Sequence, residues 1–259
     1  MSPVIEISQQ DAVGIIKLNR PEQFNCLSMA LHEGLYEAIE QFEMDSSIRA
    51  ILIAANGSNF CTGADLEEVS GFRDNDQDTR AFLETGLDTL RKLETSPLPV
   101  VIAQQGLALA GGLELVLAGD VVFAAKSAQL GDQHAHFGLI PGWGGSQRLP
   151  RLIGRRRALE LMLSARWLKA EEALDFGLVN YVVEDEQLFD SALAYCQKLS
   201  QRSPAGLALM KQLTDRGLDM SLEQGLALEL DLATPALRSD AVSEGLKAFG
   251  EKRTPKFTS

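Results

Sequence analysis

Three stretches of this chain hold residue types that proton chemistry uses. The stretch SAQLGDQHAHFGLIPGWGG, Ser127 to Gly145, carries two of the chain's three histidines, two positions apart, between an apolar run and a Gly/Pro turn. Imidazole titrates nearest neutrality, so His134 and His136 are candidate proton carriers, with packing at the end of a strand as the plain alternative. The stretches SNFCTGADLEEV and GLALAGGLELVLAGD each run from an apolar segment through glycine into a helix start. Such a start leaves backbone N–H groups without intrahelical partners and points the positive end of the helix dipole at them. If both turns lie at one end of a parallel sheet, one N–H from each converges on a single oxygen. Ala64 and Gly111 are the best-placed donors, and loss of one donor of such an oxyanion hole typically costs ~3 kcal/mol of transition-state stabilisation. Either turn alone is equally a tight strand–helix connection.

Glu114 follows the second turn, early in an otherwise apolar helix. Its neighbours three and four positions away are Ala110, Gly111, Leu117 and Ala118, so its own face is apolar. A carboxyl buried on such a face has a raised pKa, which suits a group that exchanges protons near neutrality. The alternative is an acid placed to favour the helix dipole.

The elements that must position these residues are legible as pattern. VGIIKLN (Val13–Asn19), AILIAA (Ala50–Ala55), PVVIAQQG (Pro99–Gly106) and VVFAA (Val121–Ala125) read as buried strands. Helical patterns lie between them at Ser28–Phe42, with Ser28 as its N-cap, at Thr79–Leu93 and at Leu113–Ala118. This βαβ alternation predicts a mostly parallel sheet with helices on its faces. Beyond Gly142 the pattern is almost wholly helical, interrupted only by LVNYVV (Leu178–Val183). The division is therefore an α/β core over residues 1–185 and a helical region over residues 186–259. The Leu/Ala and Glu alternation of the latter is amphipathic, part of it suited to burial against another subunit. FRDNDQDTRAFLE (Phe72–Glu84) reads as a mobile loop leading into a helix over a ligand pocket.

Composition bounds the reading. A 259-residue chain is long enough for an ample core. A net charge of −12 argues against nucleic acid and anionic membranes as partners. Cys26, Cys61 and Cys196 are scattered and odd in number, which fits a reducing compartment and gives no zinc or disulfide pattern. The start MSPVIEISQQ lacks signal-peptide character, and no apolar run reaches the ~20 residues of a membrane span. A cytoplasmic protein is the expectation. Cys61 reads as a buried small hydrophobe, and Asp65 and Asp132 read first as turn or capping residues. A metal site built on His134 and His136 lacks a further ligand, so none is expected.

The ordered motifs NRPEQFNCLS, FCTGADLEEV, GLALAGGLELVLAGDVVFAA, GLIPGWGGSQRLPRLIG, AEEALDFGLVNYVV and EGLKAFGEKRTPKF resemble the enoyl-CoA hydratase/isomerase (crotonase) family over essentially the whole chain. The resemblance implies a crotonase-type ββα-spiral core with a helical C-terminal region that serves trimerisation and as a lid. It implies homotrimers or homohexamers, and an acyl-CoA thioester as substrate, with no separate cofactor. It places the oxyanion donors at Ala64 and Gly111, agreeing with the reading from the turns. Its first catalytic glutamate falls on Glu114, and its second, twenty positions on, falls on His134. The expected activity is hydration of an α,β-unsaturated acyl-CoA. Because the second glutamate is His134, double-bond isomerisation or hydrolysis of a carbon–carbon or thioester bond is the alternative, and a non-catalytic acyl-CoA-binding protein is a third reading that Glu114 and the two turns disfavour. His136 has strand-like spacing from His134 and no family role, so it is expected to be structural. Leu66, Trp143 and Lys252 are the expected substrate contacts. Trp143 would floor the acyl pocket or only pack beneath a loop. Lys252, with Arg253 and Lys247, would meet CoA phosphates or be solvated surface charge.

Overall fold

In a computed structural model that describes residues 3–257, the β-branched runs form one six-stranded sheet. In spatial order it contains β1 (Ile5–Gln10), β2 (Val13–Leu18), β3 (Ala50–Ala55), β4 (Val100–Gln104), β6 (Val121–Ala125) and β9 (Tyr181–Val183). Only β1 is antiparallel to its neighbour. Strands β2, β3, β4 and β6 are apolar along nearly their whole length because the helices cover both faces. The polar edge strand β1, which buries only Ile5, carries no such run and is not evident from pattern.

The apolar segment Pro99–Gly106 does not stay in one sheet. After β4 the chain turns at Gly106 (φ +54°) and runs into β5 (Leu107–Leu109), which belongs to a second, three-stranded sheet with β7 (Gln129–Gly131) and β8 (Leu168–Lys169). Each spiral turn thus takes a strand from the large sheet, a short strand from the small one, then a helix. For β4 and β5 that helix is α4 (Gly111–Leu117). For β3 the short-strand position is Cys61, bridged to Ala108, followed by α2 (Leu66–Phe72).

Helix α1 (Met29–Met44) is capped by the Ser28 side chain as expected. The expected loop at Phe72–Glu84 is instead a turn at residues 73–75 between α2 and α3 (Asp76–Thr95). The Asn75 side chain accepts from Gln77 and Asp78 N–H and starts α3 three residues before the apolar periodicity. Helices α5 (Gly145–Ile153), α6 (Arg155–Ser164) and α7 (Ala170–Asp175) follow, and α8 (Leu188–Leu199) buries Ala192, Leu193 and Cys196 in the core. The remaining helices are α9 (Pro204–Leu218), α10 (Leu222–Ala236) and α11 (Asp240–Gly250). Helices α9 and α10 pack on each other yet fully bury no residue, and α11 buries only Ala248. Leu222, Leu226, Leu230, Leu246 and Phe249 are left exposed.

One core residue is out of character. His32 of α1 is wholly buried, and among the described residues neither ring nitrogen has a hydrogen-bond partner. Its ring meets Trp143 edge-on at 4.6 Å, and Phe82 lies 6.1 Å away. Burial lowers its pKa to about 4, because the imidazolium would be charged in a dry core. Between pH 6.5 and 4 the unfolded chain therefore binds a proton that the folded chain refuses. The neutral ring's contribution is complete above the unfolded pKa and declines as pH falls toward the folded one, by up to about 3 kcal/mol. His32→Leu is expected to raise the urea midpoint at pH 5 well above its effect at pH 8. An equal effect at both pH values would refute this account.

Candidate active site

The small sheet decides which residues meet. Strands β5 and β7 are parallel, with Leu109 opposite Gly131, and Cys61 runs parallel on the other side of β5. Cys61 N–H donates to the Leu107 carbonyl, and Leu109 N–H to that of Cys61. Three chain segments therefore leave one edge together, leading to Ala64, to Gly111 and Glu114, and to His134.

At that edge the two turns touch. A Cβ on Gly63 (φ +105°) would lie 3.3 Å from the Gly111 nitrogen and 3.0 Å from the Ala110 Cβ, so only glycine fits. Leu27 donates to the Gly63 carbonyl and accepts from Asp65 N–H, which leaves the Ala64 N–H facing away from Leu27. Gly111 is the first residue of α4, so its N–H has no intrahelical acceptor. Among the described residues neither nitrogen donates to the protein. Ala110, between them, holds φ +49° and ψ −116°, a costly conformation for alanine. It is kept there by its N–H on the Gly131 carbonyl and by its own carbonyl accepting from Glu114 N–H.

Glu114 is 1% exposed. Its Oε1 accepts from Trp143 N–H (2.8 Å) and Gly145 N–H (2.7 Å), the latter at the N-terminus of α5. Its Oε2 has no hydrogen-bond partner among the described residues and faces His134 Nε2 at 3.7 Å. Burial raises the Glu114 pKa, outweighing the two N–H groups and the nearby imidazole that favour its charge. His134 is not at a strand end, and the strand-like spacing expected for the two histidines is not found. Both lie in a short 3-10 turn, His134–Phe137, which buries His134 and leaves His136 exposed against Phe137. The His134 Nδ1 lies 3.0 Å from Asp132 Oδ1. Burial works against charging this ring, but the Asp132 hydrogen bond and charge, with that of Glu114, prevail and raise its pKa.

These groups open on one cavity of about 870 Å³, whose lining includes Ala64, Leu66, Gly111, Glu114, His134 and Trp143. Leu66 heads α2, where Asp65 caps the helix as its sequence context suggests. Trp143 lines the pocket and packs beneath it at once. A Cβ on Gly86 of α3 would come within 2.2 Å of its Nε1, and one on Gly111 within 2.5 Å of its Cζ3, so the indole fills the gap between them. Phe82 lies 5.3 Å from it, and Phe72 5.1 Å beyond. Arg148 holds the loop by donating to the Trp143 carbonyl while its guanidinium grips both carboxylate oxygens of Glu94.

Lys252 stands apart. It follows α11 and is not among the lining residues, and its neighbour Arg253 is taken up by Glu244 and Glu251. Sequence reading missed Arg20, which lines the cavity mouth and pairs with Asp65 at 2.8 Å. It also gave Asp132 only a capping part. Asp132 does accept from His134 N–H at 3.2 Å, but the same oxygen reaches the ring. Its place two residues before His134 is equally that of a cap, so the sequence held no signal that distinguishes the ring contact. Cys61 is fully buried, with its thiol pushed up to about 12 by desolvation, as suits an inert hydrophobe. Among the described residues no group of three or more His, Cys, Asp or Glu is arranged to hold a metal, and no helix is long and apolar enough to cross a membrane.

Comparison with known proteins agrees with this geometry. The family model described as enoyl-CoA hydratase/isomerase matches residues 8–259. The chain is 36% identical over 254 residues to a probable enoyl-CoA hydratase of Bacillus subtilis, covering 98% of each chain. It is 36% identical over 256 residues to the 1,2-epoxyphenylacetyl-CoA isomerase of Escherichia coli, covering 96% of each. The crystal structure of an enoyl-CoA hydratase from Bacillus anthracis superposes with a TM-score of 0.94 at 37% identity, covering 98% of this chain and 99% of that one. With a ββα spiral, two free N–H groups beside a buried carboxyl, and similarity along its whole length, the chain belongs to the enoyl-CoA hydratase/isomerase family.

Proposed function

We propose that the protein hydrates an α,β-unsaturated acyl-CoA, with Glu114 and His134 as its proton-transfer pair. The observation that carries this reading is the buried, unpartnered Glu114 Oε2 facing His134 Nε2 across 3.7 Å, in the cavity onto which Ala64 and Gly111 open. The thioester oxygen accepts from the Ala64 and Gly111 N–H groups, which stabilise the enolate-like charge that develops on it. Ionised Glu114 takes a proton from water as the water oxygen bonds to the β-carbon. Protonated His134 gives its proton to the α-carbon, and the C=C bond becomes a C–H and a C–OH. Glu114 then holds a proton and His134 lacks one, so transfer from Oε2 to Nε2 restores the pair. The protein supplies every proton carrier in this scheme, and coenzyme A enters as part of the substrate.

The same contact favours a second reading, double-bond isomerisation. Two carriers in touch can remove a proton at one carbon and return it at another, and one relative is named an isomerase. Leu66 and Trp143 are the acyl-side contacts in either case, and Lys252 has no part at this chain's own cavity. The exposed apolar residues of α10 and α11 support a homotrimer or homohexamer.

Mass spectrometry of products from a panel of enoyl-CoA thioesters, crotonyl-CoA first, in ¹⁸O-labelled water tests the reaction. A labelled water adduct is expected, its rate falling by about 10²–10⁴ in Glu114→Gln and in His134→Ala. Free CoA with a labelled acid would replace hydration by hydrolysis, and an unchanged mass with a shifted double bond would replace it by isomerisation. Trp143→Ala is expected to raise kcat/KM for ten-carbon over four-carbon substrates by at least about tenfold, since a filled pocket floor rejects added methylenes. An unchanged ratio would remove Trp143 from substrate choice. Light scattering is expected to give a multiple of three chains, and a monomer would refute the assembly.

A further inference from the structure

Asp132 directly follows β7 and is 1% exposed, well below the surface where a turn-capping aspartate usually sits. A buried carboxylate is costly unless it is paired. Its Oδ1 accepts from His134 N–H, which accounts for the turn. The same oxygen lies 3.0 Å from His134 Nδ1, which a cap does not need. An ionised carboxylate only accepts, so opposite such a group Nδ1 would carry the proton and Nε2 would be left directed at Glu114 Oε2.

We propose that Asp132 is a positioning residue that joins His134 in a buried carboxylate–imidazole couple, fixing the ring's tautomer and aim so that an imidazolium, in place of a carboxylic acid, supplies the second proton of the reaction. The couple rests on the hydration reading for its use, but not for its existence. Asp132 from just after β7 and Glu114 from α4 are the charged groups that act on the ring, and both favour its protonated form over the opposing effect of burial. Helix α6 packs against the turn, but Arg155, Arg156, Arg157 and Glu160 on it are exposed. Glu160 pairs with Arg166, and Arg157 sits over Phe176. At the cavity mouth Arg20 and Asp65 neutralise one another.

In Asp132→Asn the shape remains, but the amide can donate to Nδ1, which turns the ring to the other tautomer and removes the charge that holds the imidazolium. With crotonyl-CoA, kcat is expected to fall on the order of 100-fold while KM stays within about threefold. Because the donor must be protonated, the alkaline limb of kcat/KM against pH is expected to move to lower pH. In the His134→Gln background, Asp132→Asn is expected to cost nothing further. Side-chain ¹⁵N spectra of the native assembly read the same couple without turnover, and three histidines keep them simple. Wild-type His134 is expected to carry its proton on Nδ1 and to titrate above an ordinary histidine, and in Asp132→Asn to titrate lower. An unmoved limb, additive losses in the double variant, or an unmoved ring titration would overturn the couple. If Asp132→Asn does not fold, a wild-type ring protonated on Nε2 alone overturns it by itself. A shifted titration in an enzyme that hydrates nothing supports the couple and sinks the hydration reading instead.

Discussion

The site depends on the register of a three-residue strand. Strand β5 lies between Cys61 and β7, both parallel to it, and Leu109 stands opposite Gly131. Side chains alternate faces along a strand, so a slip of one residue would reverse every contact beyond it. Two residues past that pair the chain begins α4 at Gly111, and three past it His134 enters its turn. Ala110 N–H on the Gly131 carbonyl extends the ladder by one bond beyond the strands, and there the backbone takes its costly conformation. Distances at the cavity are set by hydrogen bonds between main chains. The side chains inherit them.

A second constraint is electrostatic. Placing Glu114 on an apolar helix desolvates a carboxylate, and two N–H groups, from Trp143 in the preceding loop and Gly145 at the start of α5, only partly compensate. Both N–H groups go to one oxygen. Among the described residues the other has no hydrogen-bond partner and faces the ring of His134 at 3.7 Å. Asp132 answers from the far side of that ring. The result is a line of three buried ionisable groups in which the imidazole has a carboxylate on each side, and among the described residues neither carboxylate is in any other ion pair.

How much of this could be read from sequence follows from range. The strands at Val13, Ala50 and Val121, the Ser28 cap and the glycine turns at Ala64 and Gly111 are local patterns, and they folded as patterned. Glu114 was visible because its helical neighbours are apolar. The failures came where tertiary context overrode local pattern. The run Pro99–Gly106 divides between two sheets because Gly106 turns the chain, which hydrophobicity does not record. The edge strand β1 is too polar to stand out, and Asn75 starts α3 in a segment whose charge suggested a loop. The spacing of His134 and His136 suits a strand equally well, and only the 3-10 turn separates a buried ring from an exposed one. Asp132 and His134 are adjacent enough to pair, yet nothing in spacing alone told a ring contact from a cap.

Trp143 couples the two tasks of the cavity. Its main chain gives Glu114 a hydrogen bond while Arg148 holds its carbonyl, so the loop's position and that of the Glu114 carboxyl are tied together. Its side chain lies between Gly86 and Gly111, against the ring of His32, where the acyl pocket would otherwise deepen. Larger side chains at either glycine would displace the indole, and the loop carrying the donor to Glu114 would be strained with it. Changing only the Trp143 side chain leaves both main-chain bonds available. Under the proposed function, acyl selectivity would vary at position 143 with the Glu114 contacts kept, whereas a side chain at Gly111 would disturb both at once, since Gly111 gives the indole its clearance and starts the helix that carries Glu114.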